Sequence, residues 1–139
     1  MKLKIKPADT WFSKCVRESY DWTCQKCGTK YERGSQGLHC SHHYPRGNKS
    51  TRFASENATA LCFGCHRIWH SDPVGAFRWL LSVIGEGALD LLTEKKNQIF
   101  QMKKHHWKEA AAHYRAEHAK LMEQRDAGAT GPLEFESWQ

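Results

Sequence analysis

The chain has 139 residues, of which 40% are hydrophobic, and a formal net charge of +6. That length bounds it to one domain with room for a helical extension, and a core so modest commonly needs a disulfide or a metal as reinforcement. No stretch approaches the roughly 18 apolar residues of a membrane span, and the alternating lysines of the first six residues lack the apolar run of an export signal, which leaves a reducing cytoplasm as the expected setting. The positive balance makes nucleic acid the leading partner, through phosphate neutralisation and counterion release.

Residues 1–6 read as a short strand or a basic arm. Pro7-Ala8-Asp9-Thr10 is a helix start, with Asp9 or Thr10 able to accept from the free amides of the first turn. The helix is expected to reach about Tyr20, with Trp11, Phe12, Cys15 and Val16 on its apolar side and Cys15 as a core residue. Leu38 to Tyr44 reads as a strand, residues 46–56 as a polar loop, and Asn57 to Leu61 as the return. A short helix follows from Phe63 or Gly64 to about His70. Asp72-Pro73 then caps and opens another, in which Val74, Phe77, Leu80, Leu81 and Ile84 recur at helical spacing. Gly85 and Gly87 break it, Ala88 to Phe100 forms a further helix, and Trp107 to about Arg125 a longer one. Residues 127–139 read as a flexible tail.

Four of the six cysteines form two Cys-x-x-Cys pairs, Cys24/Cys27 and Cys62/Cys65. In a reducing compartment such pairs bind zinc more often than they form disulfides. Four thiolates close a tetrahedral shell and leave no position for water, so this ion is expected to be structural. It would tie the start of the motif to the helix that ends it. Cys40 is left outside that shell.

Between and beyond the pairs lie His42-His43, Asn57, His66 and His70. His66 and His70 are spaced i, i+4, so a helix places both imidazoles on one face, toward one ion. Singly, each histidine is an ordinary surface residue. Framed by two zinc knuckles, they point together to phosphodiester chemistry. A bound ion stabilises the scissile phosphate and the leaving oxygen, and a neutral imidazole takes the proton from water. Imidazole-rich sets favour Mn2+, Ni2+ or Zn2+, and a sparser set admits Mg2+.

The order of a strand histidine, Asn57 and His66 resembles the HNH, or His-Me finger, nucleases. The resemblance implies an α+β fold: a zinc-stapled ββα-metal core over residues 22–72, flanking helices completing a nuclease domain over 1–126, and the helical extension at 73–126. If His42-His43 is similar to the paired histidines of colicin-type DNases, His43 is the general base and His42 a ligand; if Ser41 marks the register, His42 is the base. In either case Asn57 positions the loop opposite the base, and His66 and His70 bind the catalytic ion. Over a longer span, Lys6-Pro7, Cys24-x-x-Cys27-Gly28, Leu38-His39, Arg52-Phe53, Asn57 and Cys62-x-x-Cys65 resemble the NinG/Rap recombination nucleases of lambdoid phages. That likeness implies an endonuclease acting on branched DNA such as Holliday junctions or D-loops. Trp107, Tyr114 and Leu121 read as packing residues of the long helix, with a seam to a second copy as the alternative, since cutting opposite strands of a junction needs two active sites and so suggests a homodimer.

Arg46, Lys49, Arg52 and Arg67 flank the histidines and are candidate phosphate contacts, with Lys103 and Lys104 as a second basic cluster. His113 and His118 read as helix-surface residues. Two other readings stand beside the junction nuclease: a general HNH nicking enzyme, and a zinc-ribbon DNA-binding protein that never cuts.

Overall fold

The computed structural model describes residues 3–138. In chain order these form α1 (Pro7–Ser19), β1 (Leu38–His42), a single 3-10 turn (Ser55–Asn57), β2 (Ala58–Cys62), α2 (Phe63–Ser71), α3 (Pro73–Lys96) and α4 (Lys104–Asp126). The described residues are α+β, with four helices and one two-stranded antiparallel sheet. Among the described residues no helix is long and apolar enough to cross a membrane.

Helix α1 begins where Pro7 pre-sets the backbone, and Asp9 Oδ2 accepts from the Lys6 amide at 2.8 Å. Its apolar stripe packs on α4: Phe12, Cys15 and Val16 meet Ala110, Tyr114 and Leu121, with Phe53 and Ala58 completing the cluster. Tyr114 is wholly buried, and its hydroxyl donates to the Phe53 carbonyl. Tyr114 and Leu121 are therefore packing residues of the chain's own core, and the alternative of a seam with a second copy does not use them.

A second, smaller cluster joins Trp22, Cys24, Leu38, Ala60, Leu61 and Cys62 under the cysteine pairs. The β1–β2 register sets Leu38 opposite Cys62 and His42 opposite Ala58. The hairpin thus has its cysteine end at one side and its histidine end at the other, with α2 leaving directly from Cys62.

Helix α3 starts as expected, with Asp72 Oδ1 accepting from the Gly75 amide at 3.1 Å. It breaks at the glycines as expected: Gly85 leaves helical geometry at φ 83° and ψ 165°, so Pro73–Lys96 is two helical halves meeting at a kink, the second ending at Lys96, short of the expected Phe100. Of the apolar residues expected on its face only Leu80 is buried, while Val74 and Phe77 are 67% and 52% exposed. The two halves hold different partners. Trp79 meets Trp69 of α2 edge-on, and beyond the bend Thr93 Oγ1 lies 2.9 Å from the Tyr44 hydroxyl while the Lys96 carbonyl accepts from Ser50.

Residues 3–6 form neither helix nor strand, and residues 1–2 of the expected arm lie outside the described residues. Residues 127–138, for which a flexible tail was expected, also lack regular structure but have specific partners; Gln139 lies outside the described residues. Leu133 N donates to the Ser19 carbonyl at 2.7 Å, Glu136 N to Glu117 Oε1 at 2.8 Å and Trp138 N to the Tyr114 hydroxyl at 2.9 Å. Phe135 packs edge-on against both Phe12 and Tyr114. Leu133 and Phe135 alternate with Glu134 and Glu136 over only four residues after Gly131-Pro132, too short a pattern to announce an ordered segment.

Candidate metal centre and histidine cavity

The four cysteines converge. The Sγ atoms of Cys24, Cys27, Cys62 and Cys65 all lie within 4.8 Å of one another, an arrangement that can hold a metal ion. Each pair is shaped locally to present its sulfurs. Gly28 takes a φ of 76° as its amide returns to the Cys24 carbonyl at 2.9 Å, closing the first knuckle. Cys62 sits at the N-cap of α2, and its Sγ accepts from the Cys65 amide at 3.4 Å, which directs the thiol toward the helix start. The Cys27 thiol is lowered to about 6, first by its hydrogen bonds to Thr29, so thiolate is accessible near neutrality. A closed set of thiolates suits a structural zinc ion by its donor chemistry. Cys40 stays outside the cluster, as does Cys15, whose buried thiol donates to the Tyr114 carbonyl at 3.2 Å.

Along the hairpin, from Leu38 to His43, lies a cavity of about 1220 Å³. His39, His42, His43, His66 and His70 all line it, together with Arg46 and Trp69, and α3 supplies part of the far wall through Phe77, Leu80 and Leu92. Asn57 does not face it; it builds its rim. The buried Asn57 side chain accepts from the Tyr44 amide at 2.8 Å and donates to the Tyr44 and Thr51 carbonyls at 3.0 and 3.1 Å. With His43 N donating to the Asn57 carbonyl at 2.8 Å, residues 43–44 are fixed across from the start of β2.

His42 and His43 are both neutral near physiological pH. Burial, with Arg46 second, pushes His42 down to about 4, although a hydrogen bond to the Arg52 backbone works the other way. Burial, and then the neighbouring His42, pushes His43 down to about 4 as well. His42 Nε2 and His43 Nδ1 are buried and have no hydrogen-bond partner among the described residues. A buried imidazole nitrogen without a partner is costly inside a fold and calls for an ion, a water or a substrate group to meet it. Their chemistry fits a divalent cation or a proton donor.

The helix-borne pair is also joined. His66 Nε2 lies 3.1 Å from His70 Nε2, as the i, i+4 spacing requires. On its other side His66 Nδ1 lies 3.0 Å from Nδ1 of His39, a residue the sequence reading quoted only as part of a family likeness. The signal that could have found it is register: His39 pairs with Leu61, at the end of β2 from which α2 departs.

The basic residues divide. Arg46 lines the cavity. Lys49, Arg67, Lys103 and Lys104 are exposed, and none of these four is part of the cavity wall. Arg52, expected to meet phosphate, is instead 3% exposed, because Asp9 takes its guanidinium: Nε donates to Oδ1 at 2.9 Å and Nη2 to Oδ2 at 2.6 Å. Comparison with protein-family models, with curated proteins and with solved structures found no match.

Proposed function

We propose that the chain is a metal-dependent endodeoxyribonuclease of the HNH kind, stapled by a structural zinc ion at Cys24, Cys27, Cys62 and Cys65 and directed at branched DNA. The observation that carries the reading is the convergence of His42, His43, His66 and His70 on one cavity, with two of their buried nitrogens unpaired.

His42 is the general base. Its Nε2 is the unpaired nitrogen, and the Arg52 backbone bond holds the ring from behind. His66 and His70 would hold the catalytic ion, with His43 on the wall of the same cavity. A divalent ion at that place supplies electrostatic stabilisation of the scissile phosphate and of the leaving oxygen. His42 Nε2 takes a proton from the attacking water, whose oxygen bonds to phosphorus as the bond to the 3′ oxygen breaks. Products carry 5′-phosphate and 3′-hydroxyl ends. Arg46, at the cavity, meets the phosphate beside the one being cut, and exposed Arg67, Lys103 and Lys104 meet the backbone of distal arms.

Cleavage of a labelled four-way junction beside linear duplex of the same sequence tests the reading, using Mg2+ or Mn2+ with and without chelator. Wild type should cut in a metal-dependent manner, and His42→Ala should lose about 10²–10⁴-fold in rate. A larger loss in His43→Ala transfers the base role to that residue. Equal cutting of junction and duplex makes it a general nicking enzyme. Tight DNA binding without cleavage under any metal leaves a zinc-ribbon binding protein in its place.

A further inference from the structure

We propose that His39 is a positioning residue that fixes the tautomer of His66 and so turns His66 and His70 into a preformed pair of metal ligands. The inference rests on the ion site of the nuclease reading and assigns a role to a strand residue that the HNH pattern does not include.

The geometry leaves few ways to place the protons. His66 has an imidazole neighbour at each of its ring nitrogens: His39 Nδ1 is 3.0 Å from its Nδ1, and His70 Nε2 is 3.1 Å from its Nε2. A neutral imidazole carries one proton, on one nitrogen only. If that proton sits on Nε2, it is spent on His70 and neither residue offers a converging lone pair. If it sits on Nδ1, it is donated to His39 Nδ1 and the His66 Nε2 lone pair faces His70; with the His70 proton on its own Nδ1, both Nε2 lone pairs turn toward one point. A separation of 3.1 Å is then the edge of a coordination shell, matching two nitrogens that share an ion at about 2.0–2.1 Å from each.

His39 itself is not a third ligand of that ion. The two nitrogens of an imidazole point to opposite sides of the ring, and His39 is on the side away from His70. Consistently, these three residues do not bring their ligand atoms together as the four cysteines do. The placement of His39 follows from the hairpin register, which holds it across from Leu61 at the base of α2, and from Phe63, whose ring meets the His39 imidazole edge-on. His39 thus acts as the acceptor that ligating histidines commonly have behind them, a contact whose loss typically costs about 10–100-fold in metal affinity.

The test uses full-length, zinc-loaded protein titrated with Co2+, followed by calorimetry and visible absorption, with 15N NMR to read the His66 tautomer before metal is added. Wild type should take up one further Co2+ and show His66 protonated at Nδ1. His39→Ala should bind that Co2+ about 10–100-fold more weakly and lose the Nδ1–H signal. His39→Asn, whose amide oxygen can accept at the same place, should retain both within a few-fold. In cleavage, the metal concentration for half-activation should rise in His39→Ala while the rate at saturating metal is kept. Unchanged Co2+ affinity in His39→Ala, no uptake beyond the zinc in wild type, or His66 protonated at Nε2 in wild type each overturns the role given to His39. Loss of affinity as expected in a protein that cuts no DNA keeps that role and overturns the nuclease reading instead.

Discussion

Arg52 shows how one side chain decides the geometry around it. Its guanidinium is a two-pronged donor to Asp9 of α1, its Nη2 also reaches the Lys4 carbonyl at 3.1 Å, and its Cζ lies 4.8 Å from the centre of the Trp107 ring on α4. The backbone of the same residue is bonded to His42. Arg52 therefore locks the loop that carries the histidine rim to the α1–α4 pair. A buried ion pair adds little over an apolar pair of the same volume, but removing one partner strands the other. Arg52→Ala should cost about 3–5 kcal/mol, measured by urea unfolding, because Asp9 is left buried and charged. Arg52→Lys should recover little of it, since an ammonium cannot make the paired bonds or stack on Trp107 in the same way. If Arg52 instead served DNA, stability would be unchanged and only affinity would fall. The sequence could not separate these roles: an arginine in a polar loop reads the same whether its partner is phosphate or an aspartate 43 positions away.

Among the elements, the hairpin and the helix behind it were the most legible, for physical reasons. Knuckle cysteines must sit at fixed spacing around a turn, Asp72-Pro73 is a start signal with one meaning, and His66/His70 share a face by helical period alone. What stayed hidden depends on distant partners. The extended segment at 127–138 and the exposed face of α3 follow from tertiary packing, which no local pattern encodes, and His39 needed the strand register before it met His66. The cysteine cluster is where the hairpin element owes its stability, since the cluster beneath it is small. Cys62→Ser should therefore lose the bound zinc, read as about one equivalent per chain by elemental analysis in wild type and none in the variant. Hydrogen exchange should rise across residues 22–31 and 62–70, while the α1–α4 pair stays protected, because its core does not use the cysteine cluster. Uniform loss of protection would mean that the two units fold only together.

At the scale of the whole molecule, Glu18 is the joint between those two units. It is 1% exposed at the end of α1, accepts from Trp22 Nε1 and from Arg33 Nη2 at 2.6 Å in the first knuckle segment, and its carbonyl accepts from Arg125 Nη2 of α4 at 2.7 Å. Burial alone would raise its carboxyl, but the hydrogen bonds from Arg33 and Trp22 and the charges of Arg33 and Arg125 outweigh it, and the group lies below its ordinary value of 4.5. The sign of the linkage follows. The folded state holds the proton less tightly than the unfolded chain, so Glu18 contributes stability that is complete above about pH 4.5 and is lost as the pH falls through the lowered folded value. Glu18→Gln should be less stable than wild type by about 1–2 kcal/mol at pH 7, a figure reduced because Arg33 is half exposed. That difference should shrink toward zero as the pH is lowered from 5 toward 3 in urea unfolding series. Comparing the two proteins at each pH cancels the thiolate protonation and metal release that both undergo in acid. A difference that stays constant with pH would assign the effect to packing of the side chain, and the joint would then be held by shape rather than by charge.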